Sequence, residues 1–105
     1  MSRAARAFVA AVMVAGPAVA ADAQPPRAAT PCTACHGPKG VATMPDAPHI
    51  AGQPRAYLVE QLKAFRSGRR THEVMTFMAK NLSDADIQEI ADWYSSFEIE
   101  VKPRP

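Results

Sequence analysis

Cysteine is scarce in this chain, with two residues among 105, and no second Cys/His pair stands at zinc-finger spacing because His49 and His72 are isolated. A zinc site usually draws on four protein ligands, so a zinc-finger reading lacks half of its donors. No strand–helix–strand pattern is present for a thioredoxin-like cysteine pair to follow. No Gly-rich phosphate loop appears, and no Ser/His/Asp or paired-carboxylate arrangement can be argued from spacing. There is no polybasic tract for nucleic acid and no basic amphipathic helix for a membrane surface. Internal repeats and convincing strand pairs are also missing. What remains is a small helical chain whose chemistry must sit in a few residues.

The N-terminus reads as an export signal. Arg3 and Arg6 precede a continuous run of small and apolar residues at 7–15, and Ala18-Val19-Ala20 forms an A-x-A cleavage site. A transmembrane anchor is the competing reading, but Gly16 and Pro17 interrupt the run and it is short for a bilayer. Cleavage near Ala20 leaves Ala21 as the first mature residue and places the chain in the periplasm. Arg3 and Arg6 leave with the signal, so ten basic residues then face ten acidic ones. The formal +2 charge and the pI of 8.7 therefore belong largely to the leader. About 85 residues remain, one domain near the size at which an apolar core alone is marginal.

Both cysteines fall in Cys32-Thr33-Ala34-Cys35-His36. C-x-x-C-H is the attachment signature of a c-type haem. Two thiols three residues apart on one helical turn can add to the two vinyl groups along one porphyrin edge, and His36 then lies where its imidazole can bind the iron. A structural disulfide is the remaining alternative in an oxidising compartment, but it leaves His36 without a role. A tethered haem c would also supply apolar mass that so short a chain lacks.

Around the motif the chain divides into a signal (1–20), a Pro-rich and loose lead-in (21–31), a haem-bearing domain (32–98) and an irregular tail (99–105). The segment 37–51 holds two glycines and three prolines with little periodicity and reads as a loop. Gln53-Pro54 opens a helix, with Pro54 suited to its first position and Gly68 to its end. Tyr57, Leu58, Leu62 and Phe65 form its expected apolar stripe, with Lys63, Arg66, Arg69 and Arg70 gathered toward its C-terminus. Residues 71–82 read as a second connection, carrying Met75 and Met78. Ser83 opens the last helix, with Asp86 as its capping-box partner and Ile87, Ile90, Ala91 and Tyr94 on one face, widened by Trp93 and Phe97. The expected fold class is all-α.

From Cys32 to Phe97 the sequence resembles the class I c-type cytochromes, closest to small periplasmic single-haem forms and to one half of the two-haem periplasmic kind. The resemblance rests on CTACHG, then PHIAGQPRAYLVEQLKAFRSGRR, then MTFMAKNLSDADIQEIADWYSS. It implies one haem wrapped by helices, and a methionine seven residues before the Leu of L-S-D as second axial ligand, which is Met75. A thioether is a soft neutral donor that favours ferrous iron. Met78 is the main rival and otherwise a space-filling core methionine; Met44, His72 and His49 are the further alternatives. The family also places a proline about twelve residues after the haem histidine, its carbonyl accepting from the imidazole. Pro48 holds that position, against the plainer reading of a loop proline. The N-terminal helix usual in the family is shortened here, leaving the face of Tyr94 and Phe97 exposed or covered by a partner subunit.

The resemblance implies a periplasmic carrier of single electrons between redox proteins, a dehydrogenase and an oxidase for example, and not an enzyme in its own right. Neither nucleic acid nor a membrane span of the mature chain enters this reading. One alternative is a cytochrome subunit of a larger periplasmic oxidoreductase, with a flavoprotein sulfide or alcohol dehydrogenase as partner. Another is a haem protein with an open sixth position for ligand binding or peroxide reduction, which the nearby methionines disfavour.

Overall fold

The computed structural model describes residues 1–16 and 23–105; the cleavage site expected near Ala20 lies outside the described residues. A 3₁₀ turn, Arg27–Cys32, runs directly into a short helix α1, Thr33–His36. Three further helices follow: α2 (Arg55–Ser67), α3 (Glu73–Ala79) and α4 (Asp84–Ser95). Among the described residues there is no strand, so the fold is all-α. No helix among them is long and apolar enough to cross a membrane.

Helices α2 and α4 form the frame because their sequences specify both period and ends. Leu58, Ala64 and Phe65 are buried on α2; Ile87, Ile90, Ala91 and Tyr94 are buried on α4. Gly68 ends α2 at φ 83, a left-handed conformation that a side chain would resist. At the start of α4, Ser83 Oγ accepts from Asp86 N–H at 3.0 Å and Asp86 Oδ2 accepts from Ser83 N–H at 2.9 Å. This reciprocal cap satisfies two amides that the helix leaves free. Arg55 joins the frame by pairing with Asp92 and bonding Gln88, linking the start of α2 to the side of α4.

The core is small. Ala29, Leu58, Ile90, Ala91 and Tyr94 form its buried cluster, with Cys32, Ile50, Val59, Leu62, Leu82 and Trp93 packed at its edge. The 3₁₀ turn packs on α4, α1 packs on the 3₁₀ turn, and α3 packs on α2. No Cα of α1 lies within 8 Å of a Cα of α3.

Several expectations need correction. The lead-in is not loose throughout, since Arg27–Cys32 forms the 3₁₀ turn with Pro31 inside it and Ala29 fully buried. Proline's fixed φ suits that geometry, so Pro31 sits inside the turn without interrupting it. This turn covers part of α4, and Tyr94 is fully buried rather than exposed, while Phe97 is half-buried. Pro54 caps α2 from one position before its first residue. Tyr57 is 47% exposed and lies off the buried stripe, whereas Ala64 belongs to it. The connection 71–82 contains α3, hidden from periodicity by being under two turns long and capped by a histidine rather than Ser, Thr, Asp or Asn.

Candidate haem site

Cys32 closes the 3₁₀ turn in a right-handed helical conformation (φ −78, ψ −25), so the two elements carry one continuous helical path through the motif. Residues three apart on such a path share a face, which puts Cys32 and Cys35 side by side. Both are half-buried free thiols. Burial pushes the Cys32 thiol up to about 11, so in the protein alone it is held protonated. Gly37 then turns the chain sharply at φ 78; a Cβ there would stand 2.1 Å from the Val41 carbonyl oxygen. Only glycine allows the loop to double back so soon after His36.

Residues 37–51 fold back on the motif through backbone bonds. Thr43 N–H and Met44 N–H both reach the Cys35 carbonyl, at 3.0 and 3.3 Å, and the Thr43 hydroxyl donates to Ala34 O at 2.9 Å. Ile50 N–H and Ala51 N–H donate to the Gly40 carbonyl at 2.8 and 3.0 Å. Helix α4 holds the same loop from the other side: Trp93 Nε1 donates to Pro38 O at 2.8 Å and the Tyr94 hydroxyl to Gly37 O at 3.2 Å. Burial, with a smaller contribution from Cys32, pushes the Tyr94 phenol well above its usual range, so it stays a donor.

His36 is buried at 8% exposure, and its Nδ1 stands 2.9 Å from the Pro48 carbonyl oxygen. A carbonyl can only accept, so Nδ1 carries a proton, and in the neutral ring Nε2 is the nitrogen left with the lone pair. No protein hydrogen bond reaches Nε2, and no buried side-chain nitrogen or oxygen among the described residues lacks a partner, so Nε2 opens onto free space. A neutral imidazole oriented from behind and open in front is the donor that a haem iron requires. Two adjacent thiols and that imidazole fit a covalently held haem. Among the described residues, no three of His, Cys, Asp and Glu gather in a way that could hold a metal ion by themselves.

Met75 lies on α3, half-buried, and its amide donates to His72 Nδ1 at 3.2 Å. Its two rivals are more open: Met44 is 50% and Met78 36% exposed. His72 is engaged as the cap of α3, and its own amide donates to Thr76 Oγ1 at 2.9 Å. His49 is engaged across the loop, its Nδ1 accepting from Ala42 N–H at 2.9 Å. Val74 and Phe77, on the same helix as Met75, are 51% and 75% exposed. A further concavity of about 770 Å³ lies between α2 and α3 and is lined by polar groups such as Arg66, His72 and Lys80. It contains none of Cys32, Cys35, His36 or Met75.

Most of the basic cluster is engaged locally. Arg66 pairs with Asp84 at 2.7 Å and donates to Leu82 O at 3.1 Å. Arg69 pairs with Glu60 at 2.8 Å, and Arg70 donates to Gln61 at 2.7 Å with its guanidinium 4.6 Å over the Phe65 ring. These bonds, invisible to spacing, tie the end of α2 to its own flank and to the start of α4.

A family model described as cytochrome c oxidase, cbb3-type, subunit III matches residues 15–93. Cytochrome c-554(548) of Halomonas halodenitrificans is 46% identical over 70 residues, 64% of this chain and 84% of that one. The thiosulfate dehydrogenase electron acceptor of Thiomonas intermedia is 45% identical over 85 residues, 79% of this chain but only 38% of its own length. Among solved structures, a cytochrome c4 from Acidithiobacillus ferrooxidans superposes with a TM-score of 0.59 at 36% identity, over 63% of this chain and 38% of that one. The chain thus spans about two fifths of the longer relatives it matches.

Proposed function

The chain belongs to the class I c-type cytochromes, and from that membership we propose that it holds one haem c through Cys32 and Cys35 and passes single electrons between redox proteins in the periplasm. The observation that carries this reading is His36, its Nδ1 bound to Pro48 O at 2.9 Å and its Nε2 open, one residue after a pair of free thiols. Bound haem supplies a one-electron ferric/ferrous couple.

The protein's own part is to bind, orient and tune. Cys32 and Cys35 would hold the haem covalently through their two thiols. His36 would bind the iron through Nε2, and the Pro48 carbonyl on Nδ1 fixes its tautomer and raises its basicity. Met75 would supply the second iron ligand, with Met78 the rival. The buried Tyr94 braces the loop that carries Pro48, donating to Gly37 O at 3.2 Å. An exported chain, cleaved near Ala20, is the form that acquires the group. The test is acid–organic extraction of the purified holoprotein: the haem stays on the polypeptide, and Cys35→Ala no longer retains it as the parent does. Colour that extracts freely from the parent overturns the reading.

A second reading has its own support. One relative is named as the electron acceptor of a thiosulfate dehydrogenase, so this chain is a candidate acceptor, or cytochrome subunit, for a periplasmic oxidoreductase. Co-purification from the source, with the dehydrogenase activity of the eluate measured, separates a bound subunit from a free carrier.

A further inference from the structure

The Pro48 carbonyl that faces His36 is one half of the Pro48–His49 peptide unit, and that unit is planar and turns as a body. Its direction is therefore set by whatever holds the residues on either side. On the C-terminal side, Ile50 and Ala51 are bound to Gly40 O through their amides. Between that anchor and Pro48, the remaining hold is a side chain: His49 Nδ1 accepts Ala42 N–H at 2.9 Å. The bond spans seven residues and joins the two limbs of the loop. It is exposed and single, so it is not a major support of the core, yet it acts on the peptide whose oxygen meets the proximal imidazole.

We propose that His49 is a positioning residue, strapped to Ala42 so that the Pro48–His49 peptide keeps its carbonyl on His36 Nδ1, and that it thereby sets the donor strength of the proximal ligand. The inference rests on the reading of His36 as the haem ligand. The strap requires His49 to present the bare lone pair of Nδ1 and to carry its proton on Nε2. A firm Nδ1–H···O=C bond makes the imidazole a stronger donor and stabilises ferric iron; a carbonyl free to swing weakens that donation and favours the ferrous state.

Redox titration of the haem-loaded protein tests this. His49→Leu removes the acceptor and shifts the reduction potential upward. His49→Asn places an acceptor oxygen at the branch point where Nδ1 stood and returns the potential toward the parent value. Leu and Asn are both uncharged, so a difference between them reports the hydrogen bond and not a lost charge. A Leu variant at the parent potential or below it, or Leu and Asn variants shifted alike, overturns the proposal. A second measurement needs no variant: in the parent holoprotein the Ala42 amide is slow to exchange with deuterium, and exchange at the rate of an unprotected loop amide overturns the strap. Failure of the underlying reading looks different, since the parent itself would then carry no covalent haem.

Discussion

A thioether that binds iron and one that fills space differ in what their removal does, and Met75 and Met78 can be separated on that ground. Met75→Ala is expected to abolish the weak near-infrared band of ferric His/Met haem, lower the potential and open the iron to carbon monoxide. Met78→Ala keeps the band and loses some packing. The reverse pattern in those spectra moves the ligand to Met78. The place of Met75, seven residues before the Leu of L-S-D, is what the resemblance offers for the ligand, and Met75 is less exposed than Met78. Tyr94 gives a second residue-level expectation. Its hydroxyl is the buried donor to Gly37 O, which also accepts from Gly40 N–H at 3.3 Å, so Tyr94→Phe removes one of two donors and lowers stability by about 1 kcal/mol. Denaturant titration of the holoprotein reads this, and an unchanged midpoint would show the bond to be dispensable. The motif itself was legible because covalent chemistry fixes its spacing. The duties of His49 and His72 were not, because each bonds a backbone amide and so leaves no partner side chain to notice.

The start of α4 is where acid acts on an element. The Arg66 guanidinium holds the Asp84 carboxyl below the ordinary value of 3.8, chiefly by its hydrogen bond and then by its charge. Bonds from the backbone and hydroxyl of Ser83 hold Asp86 low in the same way. A carboxylate with a depressed folded pKa contributes stability above its unfolded value and loses it as pH falls through the folded one. The support for α4 is therefore complete at neutral pH and fades below 3.8. Ser83→Ala is expected to cost about 1 kcal/mol at neutral pH and to shrink the difference in stability between pH 6 and pH 3. Thermal melts at the two pH values check this, and an acid loss as large as the parent's would detach the cap from the effect. Helix α4 could be read in advance because cap, first-turn acids and apolar period agree. The 3₁₀ turn and α3 could not, because each is too short for a period to develop and each carries an unusual marker, Pro31 inside and His72 at the cap. Tyr57 misled for a related reason: it is one residue from Leu58, and a step of one on a helix turns the side chain about 100° away from the buried stripe.

For the molecule as a whole, balanced charge matters more than local basic density. Ten basic residues oppose ten acidic ones once Arg3 and Arg6 are set aside, and the basic end of α2 is held in local bonds. Arg66 lies on Asp84, Arg69 on Glu60, and Arg70 on Gln61 and the Phe65 ring. A cation beside its counterion projects little field beyond a Debye length of about 8 Å at physiological salt. Exposed pairs of this kind contribute only about 0.2–1 kcal/mol each, whereas a guanidinium spread over a buried aromatic shields apolar surface as well. The cluster is therefore expected to serve the fold more than long-range steering. Charge reversal at Arg69 and Arg70 lowers the melting temperature, most of it from Arg70, which closes over Phe65. The rate at which the reduced protein is oxidised by ferricyanide, a multivalent anion, falls only slightly as salt rises, and the reversed protein shows nearly the same slope. A steep slope in the parent that flattens on charge reversal, with the melting temperature unchanged, would instead assign these arginines to the capture of an acidic partner.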